Sequence, residues 1–287
     1  MLLQLATLAP ALSQESSGTL PSIDANTSLL VISPHPDDET LCCAGVMQRV
    51  RAAGGRVSIV WITSGDGSVL SMLIAERSLL ASRDAVRDLA HRRMEEARAA
   101  TSLLGIPRNQ QFFLGYPDGR ILALLQGNPS TLQAARFTGE THVPYADAVF
   151  PGHPYTGKSL EQDLEALLGR VRPTLVLAPS ILDTHPDHHA SGILATRVAD
   201  RCGVGAKLRY WIVHDGEGWP RPRGFMPAIP LSAPTTGRAT AWVSFALTEE
   251  EAGRKHDAIQ AYHTQMQVMA PFLLSFARTS ELYSMRP

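Results

Sequence analysis

Ser28-Leu29-Leu30-Val31-Ile32-Ser33 runs directly into Pro34-His35-Pro36-Asp37-Asp38-Glu39. The first six residues are an apolar run of the kind that forms a central strand. The next six gather an imidazole and three carboxylates on a proline-punctuated loop. Residues 40–53 then carry Leu41, Ala44, Val46, Met47 and Val50, which suit a helix packed on one side. Asp37 and Asp38 sit where its N-cap is expected, and Gly54-Gly55 stops it. Residues 56–63 read as a second strand. Strand, helix and strand in this order predict a βαβ unit, a parallel pair with a right-handed crossover.

Outward from this unit the alternation continues. Residues 64–68 read as a loop and 78–104 as a long charged helix. Residues 111–115 form a third strand, which ends in Tyr116-Pro117-Asp118-Gly119. Residues 121–158 are the least regular stretch, and an insertion of that length is often a functional lid or rim. A helix over 160–170, a fourth strand over 174–179, a helix over 190–202 and a fifth strand over 208–213 follow. Residues 221–234 are proline-rich and irregular, and 249–269 predict one closing helix. The expected fold class is α/β with a mostly parallel sheet. The expected organisation is a flexible lead-in over 1–27 and one domain over 28–287, with the irregular insertion at about 117–158.

A second polar cluster, His185-Pro186-Asp187-His188-His189, comes shortly after the fourth strand. Ligands in α/β sheets bind outside the carboxyl ends of strands, and both histidine segments fall at that edge. Borderline divalent metals favour imidazole and carboxylate donors. His35 and Asp38, three apart on a turn entering a helix, can aim at one point, and His188 can join them from another strand end. Two histidines, one aspartate and open positions describe a catalytic site, since a structural site closes all four. Asp37, beside Asp38, suits a general base, or alternatively a helix cap. His185, if protonated, could donate to an oxyanion or a leaving amine. Asp187 could hold His185 or His188 in the correct tautomer. Asp66 in Gly65-Asp66-Gly67, Asp118 and His153 are candidates for the rim. His214-Asp215-Gly216-Glu217 reads equally as loop or substrate contact. Tyr262-His263-Thr264-Gln265 reads first as helix packing.

The bulk numbers agree with a single large enzyme domain. The chain has 287 residues, is 44% hydrophobic and 18% charged, and carries a net charge of -1, so no basic stripe marks it for nucleic acid. Cys42, Cys43 and Cys202 give an odd count and no CxxC, so they are expected as buried apolar residues, neither a disulfide framework nor a thiolate zinc site. No transmembrane segment is expected. Residues 1–14 are apolar but too short to span a bilayer, and they lack a basic n-region. A cytoplasmic location is expected, with a secreted or periplasmic one as the alternative if the start is a trimmed signal.

These residues resemble the LmbE-like, or PIG-L, zinc-dependent N-deacetylases. The resemblance rests on Pro34-His35-Pro36-Asp37-Asp38-Glu39 and His185-Pro186-Asp187-His188. Arg93-Met94-Glu95-Glu96-Ala97 before Leu104-Gly105, and Leu114-Gly115-Tyr116-Pro117-Asp118-Gly119, support it. It implies a Rossmann-like fold with helices on both sheet faces, and hydrolysis of an N-acetyl group, usually from an N-acetylglucosamine moiety. It implies His35, Asp38 and His188 as zinc ligands, with Fe2+ or another divalent metal as the alternative. It implies Asp37 as general base, His185 as a partner of the tetrahedral intermediate, and Arg93 near the substrate. Some members place a tyrosine two residues before the His185 position, where this chain has Asp183. The expected partner is an amino-sugar or glycoconjugate, and a sister amidase acting on a thiol–sugar conjugate is the runner-up.

Two other readings fit less. Non-haem iron oxygenases use a two-His-one-carboxylate triad, but on an all-β scaffold that these helical segments oppose. A sugar-binding protein with a vestigial site conflicts with an intact ligand set beside an intact base. No GxSxG elbow supports a serine hydrolase.

Overall fold

The computed structural model describes residues 20–68, 82–216, 218–236 and 240–286. The first 19 residues of the expected lead-in, the start of the 78–104 helix and Glu217 lie outside the described residues. The opening βαβ unit is present as β1 (Ser28–Ser33), α1 (Asp38–Ala52) and β2 (Arg56–Thr63). Helix α2 (Arg83–Leu103), β3 (Gln111–Tyr116), a short α3 (Ile121–Leu125), α4 (Gly157–Val171) and β4 (Leu175–Pro179) follow. Then come α5 (Pro186–Arg201), β5 (Leu208–Trp211), β6 (Trp242–Ala246), α6 (Glu249–Gln260), α7 (His263–Leu273) and β7 (Ser280–Ser284).

These strands make one seven-stranded sheet in the order β3-β2-β1-β4-β5-β7-β6. β1 pairs in parallel with both β2 and β4, β3 extends one flank, and β5 extends the other, also in parallel. The sheet therefore reverses its winding between β1 and β4. That is a topological switch point, where the two strand ends part and leave a crevice. β1 and β4 are the strands that deliver the two histidine segments. Leu29 to Ile32 and Leu175 to Ala178 are at most 1% exposed, as expected of parallel strands covered on both faces.

Three expectations need correction. Five strands were expected; β6 and β7 add an antiparallel pair at one edge. β6 is half-exposed and β7 buried, so neither shows a clean alternation of apolar and polar residues. The closing helix over 249–269 is two helices, α6 and α7, that meet at Ala261 and Tyr262. The helix expected over 190–202 starts earlier, because α5 begins at Pro186 and carries His188 in its first turn. Proline with its fixed φ favours that first helical position.

The β6–β7 pair bears on the site. Glu281 on β7 is fully buried, pairs with Lys255 of α6 at 2.9 Å, and accepts from the backbone N–H groups of Gly45 and Val46 in α1. A Cβ at position 45 would press against Glu281 and Leu247. Glycine there lets the C-terminal edge clamp the helix that starts at Asp38. Cys42 and Cys43 are buried free thiols, and Cys202 is half-buried.

Candidate metal centre

Strand β1 ends at Ser33, and the chain turns through Pro34-His35-Pro36 into α1. The backbone N–H of His35 donates to Asp38 Oδ2 at 3.0 Å, which folds the turn back on itself. His35 Nδ1 lies 3.2 Å from the same Asp38 oxygen. From the end of β4, Ser180 to Thr184 leads to His185, the N-cap of α5. One turn in, His188 Nε2 stands 3.0 Å from Asp38 Oδ2 and 3.2 Å from His35 Nδ1. Three donor atoms from two adjacent strand ends thus form a nearly equilateral triangle. Donors bound about 2.0–2.2 Å from one tetrahedral ion stand roughly 3.3 Å apart, so the triangle has the right size.

The surrounding charge agrees. Burial disfavours a charged His188, but Asp183 and Asp38 outweigh it and push its pKa up to about 10. Burial likewise opposes charge on His35, and Asp118, Asp187 and Asp38 together raise it well above the usual range. Asp38, despite burial, is held well below the usual carboxylate range by His188 and His35. Carboxylates crowd two buried imidazoles and favour positive charge between them. A divalent cation supplies that charge without the protons, and around the triangle His35, His185 and His188, and likewise His35, Asp118 and Asp187, hold ligand atoms within 4.8 Å of one another, so the His/Asp cluster is able to bind a metal ion.

The orienting carboxylates are not where the sequence placed them. Asp187 does not hold His188 or carry a free carboxylate to His185. Its Oδ2 sits 3.4 Å from His35 Nε2, and its two oxygens accept from the backbone N–H groups of Gly119 and Ile121. It therefore faces the outer nitrogen of His35. Its own backbone N–H donates to His185 Nδ1 at 3.3 Å. His188 is instead held by Asp183, with Oδ2 3.0 Å from Nδ1. The same carboxylate accepts from the N–H groups of Val213, His214 and His185. Burial opposes the charge of Asp183, but His188 and His214 keep it well below the usual range. Sequence reading noted Asp183 only as a replaced tyrosine. The signal was its place five residues before His188.

Asp37 stands beside the triangle. Its φ of 139° and ψ of -34° lie outside the ordinary regions for a residue with a Cβ. Arg93 Nη2 donates to the Asp37 carboxylate at 3.3 Å and to the Pro36 carbonyl at 2.9 Å, while Nη1 donates to Gly65 O. Burial pushes the Asp37 pKa up to about 8, Arg93 opposes this, and the neighbouring Asp38 adds to it. Arg93 is thus committed to the loop it braces, although its side chain also reaches the cavity. His185 is pushed down to about 3 by burial and by the neighbouring His35 and His188. With Nδ1 accepting from Asp187 N–H, its proton is left on Nε2.

These groups line a cavity of about 170 Å³ with His35, Asp37, Asp38, Arg93, Asp118 and His185 on its polar side. Leu41, Met269, Phe272 and Leu273 form the apolar wall, and Gly67, Ser68, His214 and Gln265 complete the lining. Asp118 faces it, with Oδ1 3.4 Å from His35 Nε2. Asp66 does not line the cavity; it accepts the Asp118 backbone N–H at 2.9 Å. Burial and the nearby Asp118 push its pKa to about 7. His153 is not at this rim either: it pairs with Asp163 at 2.9 Å and stacks on Phe150. His214 and Gln265 reach the cavity, though sequence reading left the first open and read the second as packing.

The structure thus places a His/Asp cluster able to bind a metal ion at the switch point of a Rossmann-like α/β sheet. Comparison with known proteins narrows it: a model of the PIG-L family, described as GlcNAc-PI de-N-acetylase, matches residues 30–199, and the chain belongs to that family. That description is of an amide hydrolase, a deacetylase. The 1D-myo-inositol 2-acetamido-2-deoxy-alpha-D-glucopyranoside deacetylase of Kribbella flavida is 28% identical over 211 residues. That match covers 71% of this chain and 63% of the relative, so the chain spans less than two thirds of that protein. The A40926 pseudoaglycone deacetylase Dbv21 shares the fold at a TM-score of 0.61 with 20% identity, over 90% of this chain and 96% of its own. The zinc-inhibited form of teicoplanin deacetylase Orf2 does so at 0.56 with 18% identity, over 89% and 96%. No helix among the described residues is long and apolar enough to cross a membrane.

Proposed function

We propose that the chain hydrolyses the acetamido group of an N-acetylglucosamine-containing glycoconjugate, releasing acetate and a free amine, with His35, Asp38 and His188 holding a divalent cation. Zinc suits the imidazole and carboxylate donor set, and Fe2+ suits it as well. A cation held by these three residues would supply polarisation of the amide carbonyl and a lowered pKa for a water molecule at the site. Asp37 takes the proton of the attacking water. A carboxylate beside the cation but not bound to it is placed to accept that proton, and Arg93 fixes its direction. As the carbonyl carbon becomes tetrahedral, its oxygen gains negative charge, and the Nε2–H of His185 donates to it. The C–N bond then breaks, the proton held by Asp37 passes to the leaving nitrogen, and acetate departs. Asp183 and Asp187 keep His188 and His35 in the tautomers that present their inner nitrogens.

The observation that carries this reading is the three-donor triangle, two of whose residues, His35 and Asp38, line one cavity with Asp37 and His185. The deacetylation of an acetamido-glucopyranoside by a relative 28% identical supports the sugar assignment. The test is acetate release by zinc-loaded protein from N-acetylglucosaminyl inositol, N-acetylglucosamine and an N-acetylated thiol–sugar conjugate. Release from the first two supports the reading. Release only from the thiol conjugate replaces it with the sister amidase, and release from none contradicts it.

A further inference from the structure

The unusual backbone of Asp37 needs an explanation, because such conformations persist only where the surroundings over-determine them. Two side chains do so. Arg93 grips the carbonyl before Asp37 and its carboxylate. From the other side, Glu39 Oε2 accepts the Asp37 backbone N–H at 3.2 Å. Glu39 is fully buried and has a full set of donors: Trp61 Nε1 at 2.8 Å, the hydroxyls of Ser33 and Thr40, and the phenol of Tyr262. Tyr262 caps α7, and its hydroxyl also lies 2.9 Å from Thr40 Oγ1.

The next residues fasten the other support. Thr264 donates from its backbone N–H and its hydroxyl to the two carboxylate oxygens of Glu96, at 3.0 and 2.6 Å. Glu96 lies three residues after Arg93 on α2, hence on the same helix face. Gln265 then lines the cavity and donates to Ser68. One short turn thus reaches Glu39, the Arg93 helix and the cavity wall, and it lies beyond the residues that match the family model.

We propose that the 262–265 turn is a positioning device for Asp37, in which Tyr262 acts through Glu39 and Thr264 acts through Glu96 and the helix that carries Arg93. This rests on the reading of Asp37 as the general base. Neither residue touches substrate.

The test uses full-length, zinc-loaded Tyr262→Phe, Thr264→Val and Thr264→Ser, with Asp37→Asn as the control. Tyr262→Phe and Thr264→Val are expected to lower kcat about ten- to a hundredfold, with KM within about twofold and metal content unchanged, since small displacements of a catalytic group have effects of that size. Thr264→Ser, which keeps the hydroxyl, restores the wild-type rate. Crystal structures of the first two variants show Asp37 displaced from Arg93. Asp37 in its wild-type conformation in both overturns the proposal whatever the rate, as does a wild-type kcat per metal-loaded molecule. If Tyr262→Phe does not fold, the Thr264 pair decides. If Asp37→Asn keeps full turnover, the base assignment fails, and the position of Asp37 in the variant crystals still decides whether the turn holds it.

Discussion

Asp183 Oδ2 lies 3.0 Å from Nδ1 of His188, on the side of the ring away from Asp38 and His35. Both residues are fully buried at their side chains, so the carboxylate sets which nitrogen of His188 carries the proton. Outer carboxylates of this kind tune ligand basicity, and their loss typically costs ten- to a hundredfold in metal affinity. Asp183→Asn is therefore expected to bind zinc about ten- to a hundredfold more weakly. Competition with a chromogenic chelator measures this, and an unchanged affinity removes Asp183 from the role.

The backbone at Asp37 supports a second prediction. A non-glycine residue in so sparse a region costs about 1–3 kcal/mol. Asp37→Gly relieves that cost and removes a buried carboxylate beside Asp38, so it is expected to unfold about 1 kcal/mol later while losing nearly all turnover. Asp37→Asn keeps the Cβ and gains no such relief. Denaturant unfolding of the two variants, with metal content and acetate release alongside, checks the contrast. A glycine variant less stable than the asparagine variant would mean that the conformation is not strained.

His185 is expected to act on the transition state rather than on binding. Its Nδ1 accepts from Asp187 N–H, which leaves Nε2 as the donor. Loss of one oxyanion donor typically lowers kcat by about 10²–10³. His185→Ala is expected to show that loss with KM nearly unchanged. A rise in KM at constant kcat would make it a substrate-binding residue instead.

The pH dependence of stability near and above neutrality follows from raised groups, Asp37 and His188 first, with His35 and Asp66 raised in the same direction. Asp37 is raised from 3.8 to about 8, so the metal-stripped folded protein holds a proton there that the unfolded chain releases. That contribution is complete below the unfolded value and is lost as pH rises through about 8. His188, raised from 6.5 to about 10, loses its contribution as pH rises through that higher value. Asp38, Asp118 and Asp183 are lowered, so their contributions change only below the ordinary carboxylate pKa. His185, lowered from 6.5 to about 3, changes only between those values. Between about pH 7 and about pH 9 the metal-stripped protein is therefore expected to lose stability. Zinc binds the deprotonated donors, so the rise in Tm on adding it is expected to widen over the same window. Calorimetry with and without zinc checks this, and a constant or shrinking difference contradicts it.

The sheet and the His/Asp cluster were legible for different reasons. β1, α1 and β2 were readable because strands buried on both faces appear as unbroken apolar runs, and because Gly54-Gly55 marks where the helix stops. That His35, Asp38 and His188 meet was readable because the strand-end rule joins two distant segments, and the β1–β4 pairing does join them. What was not legible depends on side-chain direction. Asp183 and Asp187 are four apart, and only the turn into α5 decides which faces His188. The break at Ala261 and Tyr262 was hidden because residues 249–269 lack a glycine or proline at the junction. β6 and β7 were hidden because an exposed edge strand and a buried strand carrying Glu281 match neither simple pattern. Asp66 and His153 were plausible as rim residues from polar loops, but they turn to Asp118 and Asp163.

The most direct test is anomalous diffraction at the zinc edge from crystals of the zinc-loaded protein. One strong peak is expected, at about 2.0–2.2 Å from His35 Nδ1, Asp38 Oδ2 and His188 Nε2. No peak at that triangle, or a peak bound by other residues alone, would contradict the assignment of this centre and the chemistry built on it.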